Sequence, residues 1–465
     1  MFSINELTKI TEGKIFCRRD FGHGRVTGIS IDSRTIKKGE LFIAIPGEKY
    51  DGHDFTAAAI KKGAAGAVIS SKKIGYIKKK IGCSFNPEND VFFIAVNDTL
   101  KMLGRLAHFH REKFDIPAIA VTGSNGKTTT KEMIAAVLGN GWAPLKNSGT
   151  QNNLVGVPLT LLRLTDANQS LVAELGMNAE GEIRQLAGIV RPNIGVITNV
   201  GPSHLQYLGD LNGVYRAKKE LLDFLSRGDI ALLNGDDRLL GRFKRKDLKV
   251  FRFGVGKDAD FRAEDIKRED FGWSFNAAGA SYSLRLPAYH DIYNALAAIS
   301  VGTLFNVPSG RMREALAEYV SLDKRMVRGI IEGIEFIDDT YNSNPLSMRS
   351  AIATLSDYNA KGSRILISGD MLELGKKAAD YHSEIGELVA ESGIDKFISV
   401  GKLARNSFIA AKKKGMRDIW FCKTKEEAAS ILRKVTKPND VVLVKGSRGM
   451  RMEEVIRCFT ISYTR

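Results

Sequence analysis

The run Ala118-Ile-Ala-Val-Thr-Gly-Ser-Asn-Gly-Lys-Thr-Thr129 decides how the rest of the chain is read. The apolar stretch ending at Thr122 has the composition of a buried strand, and Gly123 and Gly126 then interrupt it. In the TTTKEMIAAVLG that follows, Met133, Ile134, Val137 and Leu138 fall on one face at helical spacing. Strand, glycine turn and helix in that order make an anion site. Glycines let backbone N–H groups approach phosphate oxygens, and the start of a helix adds positive partial charge. Lys127 can reach β- and γ-phosphates, and the Thr128 hydroxyl can ligate Mg²⁺. The spacing departs from G-x-x-x-x-G-K-[ST], because Val121 stands where the first glycine is usual. An ordinary tight turn is the alternative. The combined pattern predicts a phosphate loop made by Gly123, Ser124, Asn125, Gly126, Lys127, Thr128 and Thr129.

Outward from that loop, SLVAELG, NIGVITNVG and DIALLNGDD alternate with helical stretches, which is the rhythm of a parallel sheet wrapped by helices. A helical stretch at RMREALAEYV closes this block near residue 321. Beyond it EFIDDTY, RILISGD, KFISVG, DIWFCK and DVVLVKG repeat the rhythm as a second doubly wound sheet. Upstream, LFIAIPG, GAVIS and VFFIAVN read as strands beside one Ala-rich helical stretch, DFTAAAIKKGAAG. The chain is therefore expected to be α/β throughout, divided at 1–105, 106–321 and 322–465. Ligands of such sheets sit outside the carboxyl ends of the strands, so two facing sheets imply a site in the cleft between them.

A chain of 465 residues, 43% hydrophobic and 26% charged, is globular and long enough for about three domains. No apolar run approaches the ~20 residues that span a bilayer, and MFSINELTKITEGK lacks a signal-peptide core. A soluble, non-exported protein is expected. Cys17, Cys83, Cys422 and Cys458 lack metal-finger spacing and read as reduced thiols. The net charge of +16 admits nucleic acid, a membrane surface or a polyanionic small substrate. Clusters such as Lys78-Lys79-Lys80 and Lys412-Lys413-Lys414 lack interleaved aromatics, so they read as solvated surface and not as a nucleic-acid module.

A phosphate loop specifies a nucleotide and leaves the reaction open. Glu174 ends the strand SLVAE, where a carboxylate can hold Mg²⁺ or stand exposed. His204 follows ITNVGPS behind a Gly-Pro turn and reads as either a ligand or a structural residue. Lys218 and Lys219, in VYRAKKELL, read locally as a solvated helical face.

Taken together, these residues resemble the Mur ligase family, which builds the peptidoglycan stem peptide and is related to folylpolyglutamate synthetase. TGSNGKTT is similar to that family's ATP-binding loop. Glu174, the GPSHL histidine, the Ala217-Lys218 helix, Tyr293-Asn294, Arg325 and Asp338-Asp339-Thr340-Tyr341 recur in the same order. Asn152-Asn153-Leu-Val-Gly-Val-Pro158, Glu174-Leu-Gly-Met-Asn178, Asp339-Thr-Tyr-Asn-Ser-Asn-Pro345 and Gly369-Asp-Met-Leu-Glu-Leu-Gly375 look like the branch that adds D-alanyl-D-alanine to UDP-N-acetylmuramoyl-tripeptide. Asp-Asn-Pro-Arg, usual in the diaminopimelate-adding branch, is absent. Asp32-Ser-Arg34, Gly39-Glu-Leu-Phe42 and Asp51-Gly-His-Asp-Phe55 resemble the UDP-sugar-binding domain of both branches.

The resemblance implies an N-terminal UDP-sugar-binding α/β domain, a central P-loop-type mononucleotide-binding sheet and a C-terminal Rossmann-like domain. It implies that Gly123 to Thr129, Asn294, Arg325 and Asp339 bind ATP, and that Ser33, Arg34 and Asn153 bind the UDP-substrate. Thr128 and Glu174 would hold one Mg²⁺, with His204 and a carbamylated Lys218 placing a second. Lys127, His204 and Lys218 are the expected catalytic residues, and closure of the third block over the central one is expected. The implied partners are the two small-molecule substrates, without nucleic acid or membrane, for a cytoplasmic monomer. Rival readings are a third-residue-adding or folylpolyglutamate-type ligase, a P-loop NTPase that makes no bond, and a nucleic-acid-dependent ATPase.

Overall fold

The computed structural model describes residues 1–11, 14–16, 25–81, 91–269 and 272–461. Two compact units emerge. One comprises Met1–Ala118, Leu145–Gly176 and Arg184–Pro192, and the other Ile119–Pro144, Met177–Ile183 and Asn193–Arg465. Cys17 and Cys83 lie outside the described residues, while Cys422 and Cys458 are free thiols. Among the described residues no helix is long and apolar enough to cross a membrane.

In the first unit, five strands run in the order Lys14–Phe16, Phe92–Val96, Gly66–Ser70, Leu41–Ile43 and Ile29–Ser30. Every neighbouring pair is parallel except the first. The predicted runs LFIAIPG, GAVIS and VFFIAVN supply the central three. They are apolar without alternation because both faces are covered. The Ala-rich stretch becomes a short 3₁₀ turn, Gly52–Phe55, capped by Asp51, and a helix Thr56–Lys61. Its Ala59 joins Ile36, Phe42, Ile69, Ile77 and Phe93 in the core. The structure adds helices Ile74–Ile81 and Thr99–Arg111 to the one that the sequence suggested. Ile77 and Ile81 bury one face of the former, so Lys78, Lys79 and Lys80 are its solvated face, as expected.

The helix Thr99–Arg111 starts at Asp98, whose carboxylate accepts the N–H groups of Leu100 and Lys101 at 2.9 Å. At the other end Arg111 is buried and donates to the carbonyls of Val190 at 3.2 Å, Phe114 at 2.5 Å and Ile116 at 2.8 Å. One guanidinium thus satisfies carbonyls from separate segments of the unit.

In the second unit, parallel strands run in the order Phe261–Arg262, Lys249–Gly254, Ile230–Asn234, Ile194–Ile197 and Ala118–Thr122. The last two pair from Ile119↔Ile194 to Thr122↔Ile197. Their carboxyl ends are level, so the loops after Thr122 and after Ile197 leave the sheet side by side. Met133, Ile134, Val137 and Leu138 are buried as predicted, in a helix Lys127–Trp142 interrupted at Gly139, where φ is +48°.

A six-stranded sheet follows in the order Val327–Ile331, Ile334–Asp339, Val441–Lys445, Arg364–Gly369, Lys396–Val400 and Ile419–Cys422. It is parallel except for its first, hairpin-like pair. The five runs read from sequence as its strands are its strands. An antiparallel sheet of Glu264–Glu269, Gly272–Ala277 and Ala280–Leu284 went unread. Only one of its faces is covered, and EDIKRE carries almost no apolar signal.

Arg111→Met keeps much of the side chain's bulk but leaves buried carbonyls without their donor. It should lower stability by about 3 kcal/mol, read as a lower urea midpoint at unchanged slope. An unchanged midpoint would mean that water replaces the guanidinium at no cost.

Candidate active site

The loop after Thr122 is built so that only glycine fits at two of its positions. At Gly123 φ is +154°, and a Cβ would come within 1.9 Å of Thr198 Oγ1. At Gly126 φ is +79°, and a Cβ would sit 2.4 Å from Asn294 Oδ1. The loop following Ile197 braces this turn. Ser124 N–H donates to Asn199 O at 3.0 Å, and Asn125 N–H to Asn199 Oδ1 at 2.9 Å. Thr198 Oγ1 and Asn199 Nδ2 both donate to Asn125 O, at 2.5 and 3.1 Å. Ser124 Oγ donates to Gly201 O and accepts from Gly201 N, each at 2.9 Å. The turn is therefore preformed, and the sequence signal for its brace was TNVGPSH itself.

Lys127 folds back on this turn, donating to Gly123 O at 2.9 Å and Ser124 O at 3.3 Å. Thr128 is buried, and its hydroxyl accepts from Arg325 Nη2 at 3.0 Å. Arg325 also lies over the Tyr341 ring at 4.0 Å. Asn294 Oδ1 accepts from Thr130 Oγ1 at 3.0 Å, while its Nδ2 donates to Asp291 Oδ1 at 3.0 Å. Burial raises the Asp291 pKa. Asp339 is held by Lys445 Nζ at 2.5 Å, and the same ammonium donates to Asn342 O at 3.0 Å. Asn125 and Asn344 exchange side-chain amide bonds of 3.2 and 2.8 Å, with Asn344 also capping the helix Pro345–Ser356. The structure thus brings Asn294, Arg325 and the loop together. The Asn125–Asn344 pair was not foreseen, because nothing local in sequence links residues so far apart.

Lys218 lies on the inner face of the helix Leu211–Phe224, with Val214, Ala217, Leu221 and Leu222. It is 2% exposed, so the solvated-face reading fails for Lys218. Lys219, its neighbour, is paired to Asp223. Among the described residues no carboxylate pairs with Lys218. Burial pushes its pKa well below the usual lysine value, and Lys127 pushes it further. His204 begins the short helix Leu205–Leu208 in a left-handed conformation, φ +53°. Burial, then Lys127, then Lys218 lower its pKa to about 4, so the imidazole is neutral near pH 7. Its Nδ1 lies 2.7 Å from Glu373 Oε2, with the oxygen off the axis of the ring N–H.

The other expected residues belong to the first unit. Glu174 is 1% exposed, and Asn152 Nδ2 donates to its Oε1 at 2.7 Å. Asn147 bridges the Glu174 backbone, accepting from its N–H at 2.9 Å and donating to its carbonyl at 3.1 Å. Glu174 Oε2 is buried without a hydrogen-bond partner. A solvent-exposed strand-end acid is therefore excluded. Asn153 Oδ1 accepts from Val155 N at 3.1 Å and Gly156 N at 2.9 Å, shaping the entry to the helix Gly156–Leu161. Arg34 is 87% exposed in its side chain and forks onto Asp32, with Nη2 to Oδ2 at 2.8 Å, and Ser33 is buried beside it.

Among the described residues no three His, Cys, Asp or Glu side chains gather into a ready metal cage. A divalent cation here needs hydroxyl, phosphate or modified-lysine oxygens besides. The unpartnered Glu174 oxygen and the Thr128 hydroxyl are donors of the hard type that Mg²⁺ takes.

Three family descriptions match: the Mur ligase family catalytic domain over residues 25–111, the Mur ligase middle domain over 121–302, and the Mur ligase glutamate ligase domain over 325–448. The UDP-N-acetylmuramoyl-tripeptide–D-alanyl-D-alanine ligase of Escherichia coli is 33% identical over 463 residues, 98% of this chain and 97% of that one. Its Bacillus subtilis counterpart is 33% identical over 438 residues, 93% of each chain. The crystal structure of MurF from Acinetobacter baumannii superposes with a TM-score of 0.87 at 28% identity, covering 99% of both chains. MurF ligase from Thermotoga maritima in complex with ADP gives 0.81 at 25% identity, covering 94% of this chain and 98% of that one. With family descriptions spanning most of its length and relatives of this identity covering nearly all of it, the chain belongs to the Mur ligase family.

Proposed function

We propose that this protein is an ATP-dependent amide ligase that joins D-alanyl-D-alanine to the free carboxylate of UDP-N-acetylmuramoyl-tripeptide, releasing ADP and phosphate. The observation that carries this is the braced turn Gly123–Thr128 with Lys127, Lys218 and His204 beside it. It sits in a chain that matches ligases of that name almost end to end. The three blocks 1–105, 106–321 and 322–465 are taken as the UDP-substrate, ATP and ligase domains of a cytoplasmic monomer engaged in peptidoglycan precursor synthesis.

A carboxylate repels an incoming nucleophile and has no good leaving group. Transfer of the γ-phosphoryl of ATP to it gives an acyl phosphate with phosphate as leaving group. The amine of D-alanyl-D-alanine then attacks the acyl carbon, loses its proton, and the tetrahedral intermediate expels phosphate as the amide forms. The backbone N–H groups of the loop and Lys127 hold the β- and γ-phosphates, while Asn294, Arg325 and Asp339 hold the rest of the nucleotide. Ser33, Arg34 and Asn153 are assigned to the UDP-substrate; Arg34 must then leave Asp32 or bind with it as a pair. Holding the reactants in register contributes on the order of 7–11 kcal/mol of barrier reduction.

Thr128 and Glu174 are assigned by the resemblance to one Mg²⁺ and His204 and Lys218 to a second; such ions would screen the charge of the crowded phosphates and carboxylate. The depressed pKa of Lys218 supports its modification, because only a neutral amine adds CO₂. The resulting carbamate is an anion, which removes the penalty of a buried cation beside Lys127 and gives an oxygen donor to metal.

Purified protein given ATP, UDP-tripeptide and D-alanyl-D-alanine should release phosphate and form the amide. Turnover confined to UDP-dipeptide with a free diamino acid would move the protein to the third-residue-adding branch, and phosphate release without any acceptor would make it a simple NTPase. Lys127→Ala should abolish ligation, by at least about 100-fold on the scale of a lost transition-state donor, with circular dichroism unchanged; retained turnover would break the phosphate-loop assignment. Lys218→Ala should lose ligation in a way that added bicarbonate does not restore, whereas full activity would mean that the buried amine is structural only.

A further inference from the structure

His204 is not positioned by its own loop alone. The segment Met371-Leu-Glu-Leu-Gly375 leaves the strand Arg364–Gly369 of the six-stranded sheet and closes on it. Gln206 N–H donates to Glu373 O at 3.0 Å, and Glu373 Oε2 lies 2.7 Å from His204 Nδ1. At Gly375 a Cβ would sit only 3.3 Å from Gln206 Cα. The segment is itself anchored, with Met371 N–H donating to His382 Nε2 at 3.0 Å and Leu372 N–H to Ser447 Oγ at 2.8 Å.

Backbone geometry at this contact is unusual on both sides. His204 has φ +53° and Glu373 φ +63°, left-handed values that are strained for a residue other than glycine. Such conformations persist only where the surroundings over-determine them, and they gather at functional sites. Here each strained residue carries the side chain that meets the other. That is more than a surface ion pair would require.

A neutral imidazole has one nitrogen that donates and one that accepts, and the partner of the donor decides which is which. A carboxylate beside Nδ1 favours the proton there and leaves the Nε2 lone pair for whatever the ring faces. Residues that hold a ligating histidine in this way commonly affect metal affinity or activity by 10- to 100-fold.

We infer that Glu373 is a positioning residue for His204, fixing its Nδ1–H tautomer and ring orientation from the six-stranded sheet, so that docking of the Met371–Gly375 turn completes the group beside the phosphate loop. This rests on the proposed reading of His204 as a residue of the ligation site. The contact as it stands is bent, and the tautomer is the property that a genuine positioning role must fix.

The experiment compares wild type with Glu373→Gln and Glu373→Met in the full chain. Met matches the reach of Glu and its backbone cost but accepts no strong hydrogen bond, while Gln keeps an accepting oxygen. Nitrogen-15 spectra of histidine-labelled protein, without nucleotide or metal, report the His204 tautomer directly. Wild type and Glu373→Gln should both show Nδ1 protonated, and Glu373→Met should shift the proton to Nε2 or to a mixture. Turnover should fall about 10- to 100-fold in Glu373→Met, with KM for D-alanyl-D-alanine and Tm unchanged, and Glu373→Gln should recover most of it. The same tautomer in Glu373→Met, or equal losses in both variants, overturns the inference. A tautomer shift with no loss of turnover upholds the Glu373–His204 link and removes His204 from the ligation site.

Discussion

Three basic side chains crowded beside one turn, one of them a buried lysine, are the constraint on which the rest depends. Lys127 sits beside Lys218 and His204 closely enough to lower the pKa of both, and Lys218 is buried besides. Each unit of pKa shift is about 1.4 kcal/mol of unfavourable interaction for the protonated form. A fold selected for stability alone would replace such a lysine with an apolar residue. Retaining it makes sense where an anion arrives, and the turn Gly123–Thr128 is the place in this unit where backbone N–H groups are shaped to receive one.

The fold's part in this is to make the strand ends level. Because Thr122 and Ile197 pair at the same height, the loop after one becomes the brace of the loop after the other. Glycine at 123 and 126 follows from that brace, since Thr198 and Asn294 occupy the space a side chain would need. Contacts from the six-stranded sheet and its flanks, Asn344 to Asn125, Arg325 to Thr128 and Glu373 to His204, reach the same few residues. The proposed phosphate loop and the second sheet therefore share the same few contacts.

Much of this was legible in the sequence, for physical reasons that differ by element. Strands buried on both faces appear as unbroken apolar runs, which is why AIAVT, RILIS and VVLVK could be placed, whereas the one-sided sheet at 264–284 could not. Lys218 carried an unread signal: with Val214, Ala217, Leu221 and Leu222 it completes a helical stripe, so its burial follows from spacing. The amides holding Glu174 come from Asn147 and Asn152, and only folding brings them there. Arg34 and Asn153 were placed by resemblance, and each is occupied locally, by Asp32 and by the turn into Gly156–Leu161.

The most direct measurement is a crystal structure of the protein with a non-hydrolysable ATP analogue and Mg²⁺. The β- and γ-phosphates should lie on the backbone N–H groups of Gly126 to Thr128, past the two that Asn199 holds, with Lys127 turned from its own carbonyls onto a phosphate oxygen. A nucleotide bound elsewhere, with Lys127 still on Gly123 O, would contradict the account at its root.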